Sequence, residues 1–134
     1  MASITKDTTV NRPATACWDA IKAFDAPHDR LVKGFVVDTK MVDDRDREVT
    51  FFTGAIARER LVGRDDTLMR LAYTVVDSPM GSTHHNASVQ VVPLDDEHCQ
   101  LIWTTDVLPD ELATRTAGLM ESGITAMKAT LEST

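Results

Sequence analysis

The stretch REVTFFTGAIARERLVGRDDTLMRLAYTVV, residues 47–76, decides the fold. It holds three runs rich in β-branched and aromatic residues, broken at Gly54 and at GRDD (63–66). This texture predicts strands at about 47–53, 55–62 and 68–76. Connections so short require antiparallel neighbours. The same texture continues on both sides, at about 35–42, 84–92 and 99–107. The joints DDRD (43–46), DSPMGS (77–82) and LDDEH (94–98) are rich in turn formers. The result is a six-stranded meander.

Upstream, SITKDTTV (3–10) alternates and predicts one more strand, and Asn11-Arg12-Pro13 reads as a helix start. Ala14, Cys17, Trp18, Ile21 and Phe24 then form one apolar stripe, which Pro27 ends, with a further turn expected over 28–32. Past Pro109, Asp110 and Glu111 suit the positive end of a helix. Leu112, Thr116, Leu119, Met120, Gly123, Met127 and Leu131 line one face of that helix over about five turns. The expected fold is α+β, a curved antiparallel sheet of about seven strands wrapped around a long C-terminal helix, with two short helices after the first strand. Residues 1–134 make a single domain, with no repeat or linker.

Composition narrows the function. With 134 residues, 43% apolar and 26% charged, the chain builds a core without needing disulfides or metal. Its net charge of -7 and lack of any basic stripe argue against nucleic acid and anionic membranes as partners. No segment approaches a membrane span and MASITKDTTV lacks a secretory layout, so a cytoplasmic location is expected. Cys17 and Cys99 lie outside any CxxC or metal-ligand spacing and read as reduced, half-buried packing residues. GxSxG, HExxH, phosphate-loop and dinucleotide motifs are all missing, and His84 and His85, adjacent on a strand, point to opposite faces. The expectation is therefore no cofactor and no metal. A monomer or weak homodimer is expected, with no residue that argues for an interface.

Strand parity identifies what faces inward. Arg58 and Arg60 must meet water, which turns Ala57, Glu59 and Leu61 inward. Met69, Leu71, Tyr73 and Val75 share the inner face of the next strand, followed by His85, Ala87, Val89 and Val91. Arg47, Val49 and Phe51 are inward on the strand at 47–53, and Cys99, Leu101, Trp103 and Val107 on the last. With hairpin loops at 65–67 and near Pro79, Glu59 would stand opposite Tyr73, and Tyr73 opposite His85. Two readings stay open. In one, these polar groups satisfy each other, as a Glu59–Arg47 pair or a Tyr73–Glu59 hydrogen bond. In the other, they project into a cavity and orient a ligand.

The element order, together with REVTFFTGAIARERLVGRDDTLMRLAYTVVDSPMG, HHNASVQVVP and LIWTTDVLP, resembles the START-like (helix-grip, birch pollen allergen-like) superfamily. Within it, the chain is most similar to the polyketide cyclase/dehydratase-like branch. Arg47, Glu59, Tyr73 and Trp103 match that branch's Arg, Glu, Tyr and Trp positions, whereas a Tyr or other aromatic is common where this sequence has His85. The resemblance implies a helix-grip fold. It also implies a small hydrophobic ligand (lipid, polyketide or aromatic metabolite), bound between sheet and final helix without a cofactor.

On this reading Phe51, Leu61, Met69, Leu71, Ala87, Val89, Trp103, Leu119, Met120, Gly123 and Met127 are the expected ligand-binding residues. The alternative is a cofactor-independent polyketide cyclase/dehydratase or isomerase. There Glu59 would act as general acid or base, Tyr73 and His85 would donate to a developing enolate oxygen, and Arg47 would hold a carboxylate or tune Glu59. Gly123 has two readings: it clears room for the ligand, or it lets the helix approach the sheet closely. A third class is an interaction module whose interior is filled by Trp103, Phe51 and Tyr73.

Overall fold

The computed structural model describes residues 1–134. Strand β1 (Ala2–Val10) leads into two short helices, α1 (Ala14–Lys22) and α2 (Pro27–Arg30). The meander follows as β2 (Val36–Met41), β3 (Asp46–Phe51), β4 (Ile56–Asp65), β5 (Arg70–Asp77), β6 (His84–Pro93) and β7 (Cys99–Leu108). One 3-10 turn, Asp110–Leu112, precedes α3 (Ala113–Glu132). The strands form a single antiparallel sheet in the order β1-β7-β6-β5-β4-β3-β2. This is the helix-grip architecture.

Because β1 pairs with β7 rather than with β2, the intervening helices carry the chain from one edge of the sheet to the other. The first helix ends at Lys22, before Pro27, and Pro27 itself opens α2 as its first residue, where the missing N–H costs nothing. Bulges between Val36 and Asp38, Arg58 and Glu59, and Leu61 and Gly63 interrupt the ladder on the β2–β5 side. Such insertions bend and twist a strand, which makes a concave face that a helix can close.

Helix α3 carries Gly118, Gly123 and several Thr, all poor helix formers. Burial holds it: Met120, Ile124, Met127 and Leu131 are each 5% exposed or less, worth about 1.5–3 kcal/mol apiece. A Cβ at Gly123 would lie 2.7 Å from Cζ3 of Trp103, so the glycine is there for close helix-to-sheet contact. Of its two readings, packing is the one the structure has, and Gly123 leaves no room for a ligand.

The two hairpins differ from expectation by small slips. Asp65 pairs with Arg70, and its Oδ1 accepts from the backbone N–H groups of Thr67 and Leu68, both at 2.9 Å. The loop therefore spans 66–69, with Met69 in the left-handed region at φ 53°. Together with the bulges, this sets Leu61 opposite Tyr73 and Glu59 opposite Val75. Across β5–β6, Tyr73 pairs with Ala87. The expected direct Glu59–Tyr73–His85 row is thus corrected to a diagonal one on the same face.

Candidate functional site

Between the concave face and α3 lies a cavity of about 260 Å³, with 19 of its 30 lining residues apolar. Four of its polar residues come from the four neighbouring strands β3 to β6. Arg47 on β3 points inward, as does Glu59, its cross-strand neighbour on β4. Nε of Arg47 donates to Glu59 Oε1 at 2.9 Å, and Nη2 lies 2.8 Å from the same oxygen as the close contact of the ion pair. Nη1 donates to the Phe24 carbonyl beyond the end of α1 at 2.9 Å. The guanidinium also lies 3.9 Å from the centre of the Phe24 ring. These contacts hold a charged group in an apolar wall, which is tolerated only when it is paired and hydrogen-bonded.

Glu59 Oε2 has no hydrogen-bond partner. It is not sealed off either, since His28 Nδ1 and Thr39 Oγ1 are the only fully buried side-chain polar atoms left unpaired. Oε2 therefore opens to the cavity that Glu59 lines.

Tyr73 on β5 accepts a hydrogen bond from Nε1 of Trp103 at 3.2 Å, leaving its own proton free. Burial, and then the nearby Glu59 charge, push its ionisation far above the usual phenol range, so it stays a donor. His85 on β6 lies with its ring 5.9 Å from that of Tyr73. Its Nδ1 accepts from the Val75 N–H at 3.0 Å, which in the neutral ring places the proton on Nε2. Burial lowers the pKa of His85 and favours that neutral form. Glu59, Tyr73 and His85 thus line one largely apolar hollow.

Of the residues expected at the site, Arg47, Glu59, Tyr73, His85, Phe51, Leu71, Val89, Trp103, Leu119, Met120 and Met127 line this cavity. Four others do not. Leu61 and Met69 sit toward the β4–β5 hairpin, where the chain has left the hollow. Ala87 is 1% exposed and packed within the hydrophobic core, and Gly123 is covered by Trp103.

Sequence reasoning missed Thr105, which parity alone places between Trp103 and Val107 and which is 2% exposed. It also missed Leu31 and Val32, after α2, where no strand parity applies, and Phe35, at the first position of the strand expected at 35–42, for which the sequence assigns no inner face. Phe52, Thr53, Pro79, Arg115 and Leu119 both line the cavity and are exposed, and so mark its mouth. Cys17 and Cys99, expected half-buried, are fully enclosed outside the cavity with their sulfurs 3.5 Å apart. No helix is long and apolar enough to cross a membrane.

The sequence model of the family described as polyketide cyclase / dehydrase and lipid transport matches residues 1–132. Among solved structures, a Thermobifida fusca protein determined by solution NMR is 29% identical, with 98% of this chain and 91% of that one covered and a TM-score of 0.78. A START superfamily protein from Mycobacterium smegmatis is 12% identical over 98% of this chain and 97% of its own, at a TM-score of 0.82. Norcoclaurine synthase from Thalictrum flavum, solved in complex with dopamine and hydroxybenzaldehyde, is 16% identical over 98% and 84%, at 0.76. No curated protein matches the chain in sequence.

Proposed function

We propose that this chain, which belongs to the polyketide cyclase/dehydrase and lipid transport family, binds a small apolar molecule bearing one hydroxyl or carbonyl group in the cavity beneath α3. The observation that carries this reading is the set of unpaired polar atoms, Glu59 Oε2, the Tyr73 hydroxyl proton and His85 Nε2–H, on residues that line a largely apolar hollow. A few polar groups in an apolar pocket orient a ligand, while burial supplies the affinity. About 260 Å³ exceeds the roughly 150 Å³ that admits benzene and falls just below the roughly 300 Å³ of the smallest drug-sized sites. The cavity therefore suits one or two small rings or a short chain.

A hydroxyl would accept from Tyr73 and His85 and donate to Glu59. Calorimetric titration with 4-propylphenol and with 4-propylanisole, which cannot donate, tests this. The phenol is expected to bind about tenfold more tightly, because the ether leaves Glu59 Oε2 unsatisfied. Equal affinities, or no binding of either, would count against the reading.

The same atoms favour a second reading, a cofactor-independent cyclase, dehydratase or isomerase. Glu59 Oε2 would take a proton from carbon next to a carbonyl, and the electron pair would move onto the carbonyl oxygen. There the Tyr73 O–H and His85 Nε2–H would hold it. Proton exchange at the α-carbons of 4-hydroxyphenylacetone in heavy water, followed by NMR, tests the step. Glu59→Gln should abolish exchange while leaving binding measurable. A protein that binds the ketone without accelerating exchange is a carrier.

A further inference from the structure

The cavity's charges are unevenly compensated. Arg47, Glu59 and Arg115 are the charged residues that line it, with His85 neutral beside them. Arg47 and Glu59 neutralise one another at the wall. Arg115 stands at the mouth with its side chain exposed and makes no ion pair or hydrogen bond within the chain. Nor does Glu111, four residues earlier, reach back to it. The other exposed residues of the mouth, Phe52, Thr53, Pro79 and Leu119, carry no charge. In a chain of net charge -7, an uncompensated guanidinium on the rim of an apolar hollow makes a local site of opposite sign to the whole.

We infer that the ligand carries a carboxylate at its outer end, held by Arg115. The class of molecule is then a small acid whose apolar body enters the cavity, with a hydroxyl or carbonyl group at the far end from the carboxylate. The guanidinium fork matches a carboxylate in two parallel hydrogen bonds, and its exposure lets the acid group stay partly hydrated instead of bearing the cost of burial. The inner polar atoms select one end of the molecule and Arg115 the other, so the two ends together fix its direction in the cavity. This inference rests on the proposed binding of a small apolar molecule.

The test is calorimetry with a series of ω-(4-hydroxyphenyl)alkanoic acids, from the ethanoic to the pentanoic acid. Each acid is compared with its own primary amide, which has the same shape but no charge. At the chain length that reaches the rim, the acid is expected to bind about three- to tenfold more tightly than the amide, the range of a partly exposed charge pair. Arg115→Gln should erase that preference while leaving amide affinities within about twofold, and about 0.5 M salt should weaken it in the wild type. Acids no tighter than amides at every length, or a preference that survives Arg115→Gln, would overturn the inference and leave the cavity reading standing. Failure of 4-propylphenol, amides and acids alike to bind would overturn both.

Discussion

Arg47 meets Glu59 with two nitrogens on one oxygen, so the ion pair is closed at Oε1 and open at Oε2. The structure therefore has both features that the sequence left as alternatives, a satisfied buried pair and a carboxylate oxygen that lines a cavity. Truncating one partner strands the other's charge in an apolar wall. Arg47→Leu should cost about 3 kcal/mol or more in urea denaturation. The double variant Arg47→Leu/Glu59→Leu should be less destabilised than Arg47→Leu alone. Simple additivity of the two single changes would show that the pair does not act as a unit.

Gly123→Ala should destabilise the protein even though alanine is the better helix former by about 1 kcal/mol. The added methyl would meet Trp103 at 2.7 Å and Phe35 at 3.4 Å, an overpacking cost of about 1–3 kcal/mol. Adding Trp103→Phe to Gly123→Ala should recover part of the loss in thermal melts. A Gly123→Ala protein as stable as the wild type would show that the helix can lift off the sheet without cost.

Most of the fold was legible because each strand announces itself locally. The β-branched runs and turn clusters of residues 35–108 placed all six meander strands within three residues of their observed ends. Period-two parity turned Arg47, Glu59, Tyr73 and His85 to the correct face. Cross-strand register was less legible, because it depends on loop geometry and bulges. The Asp65 side chain that caps its hairpin loop and the irregularities around Glu59 and Leu61 shifted each partner by two positions. The mouth, Leu119 apart, was illegible for a different reason. Arg115 and the 78–82 loop reach the cavity through the crossing of α3 over the sheet, which no local pattern encodes.

Acid should weaken the fold through Asp46, which is 1% exposed and sits between Arg58 and Arg60 on the face of the sheet away from the cavity. Hydrogen bonds, from Arg60 first and then Arg58, hold its pKa at about 2, against 3.8 for the free side chain. The folded value is the lower one, so this group contributes stability above about pH 4 and loses that contribution as pH falls toward 2. Wild-type stability should drop across this window. Asp46→Asn should be less stable at pH 7 and show a flatter acid limb in denaturant titrations from pH 5 to about 2. Parallel limbs would assign the acid sensitivity to other carboxylates, Asp43 among them.

Cys17 and Cys99 should be chemically silent in the native protein. Burial, and then the hydrogen bond with Cys99, push the Cys17 thiol up to about 12, and burial raises Cys99 as well. The thiolate is the reactive form, so a disulfide reagent at pH 8 should titrate no fast thiol in the folded state and both thiols in denaturant. Rapid native labelling of either would mean that α1 opens away from β7 far more readily than its packing implies.

Whether the cavity takes a ligand through Glu59 is decided by a crystal structure of the protein with 4-propylphenol. The ring should lie in the hollow beneath α3, its hydroxyl oxygen about 2.6–3.0 Å from Glu59 Oε2 and within reach of the Tyr73 hydroxyl. A hollow filled by the protein's own side chains, or a phenol seated elsewhere with Glu59 Oε2 turned to bulk water, would contradict it.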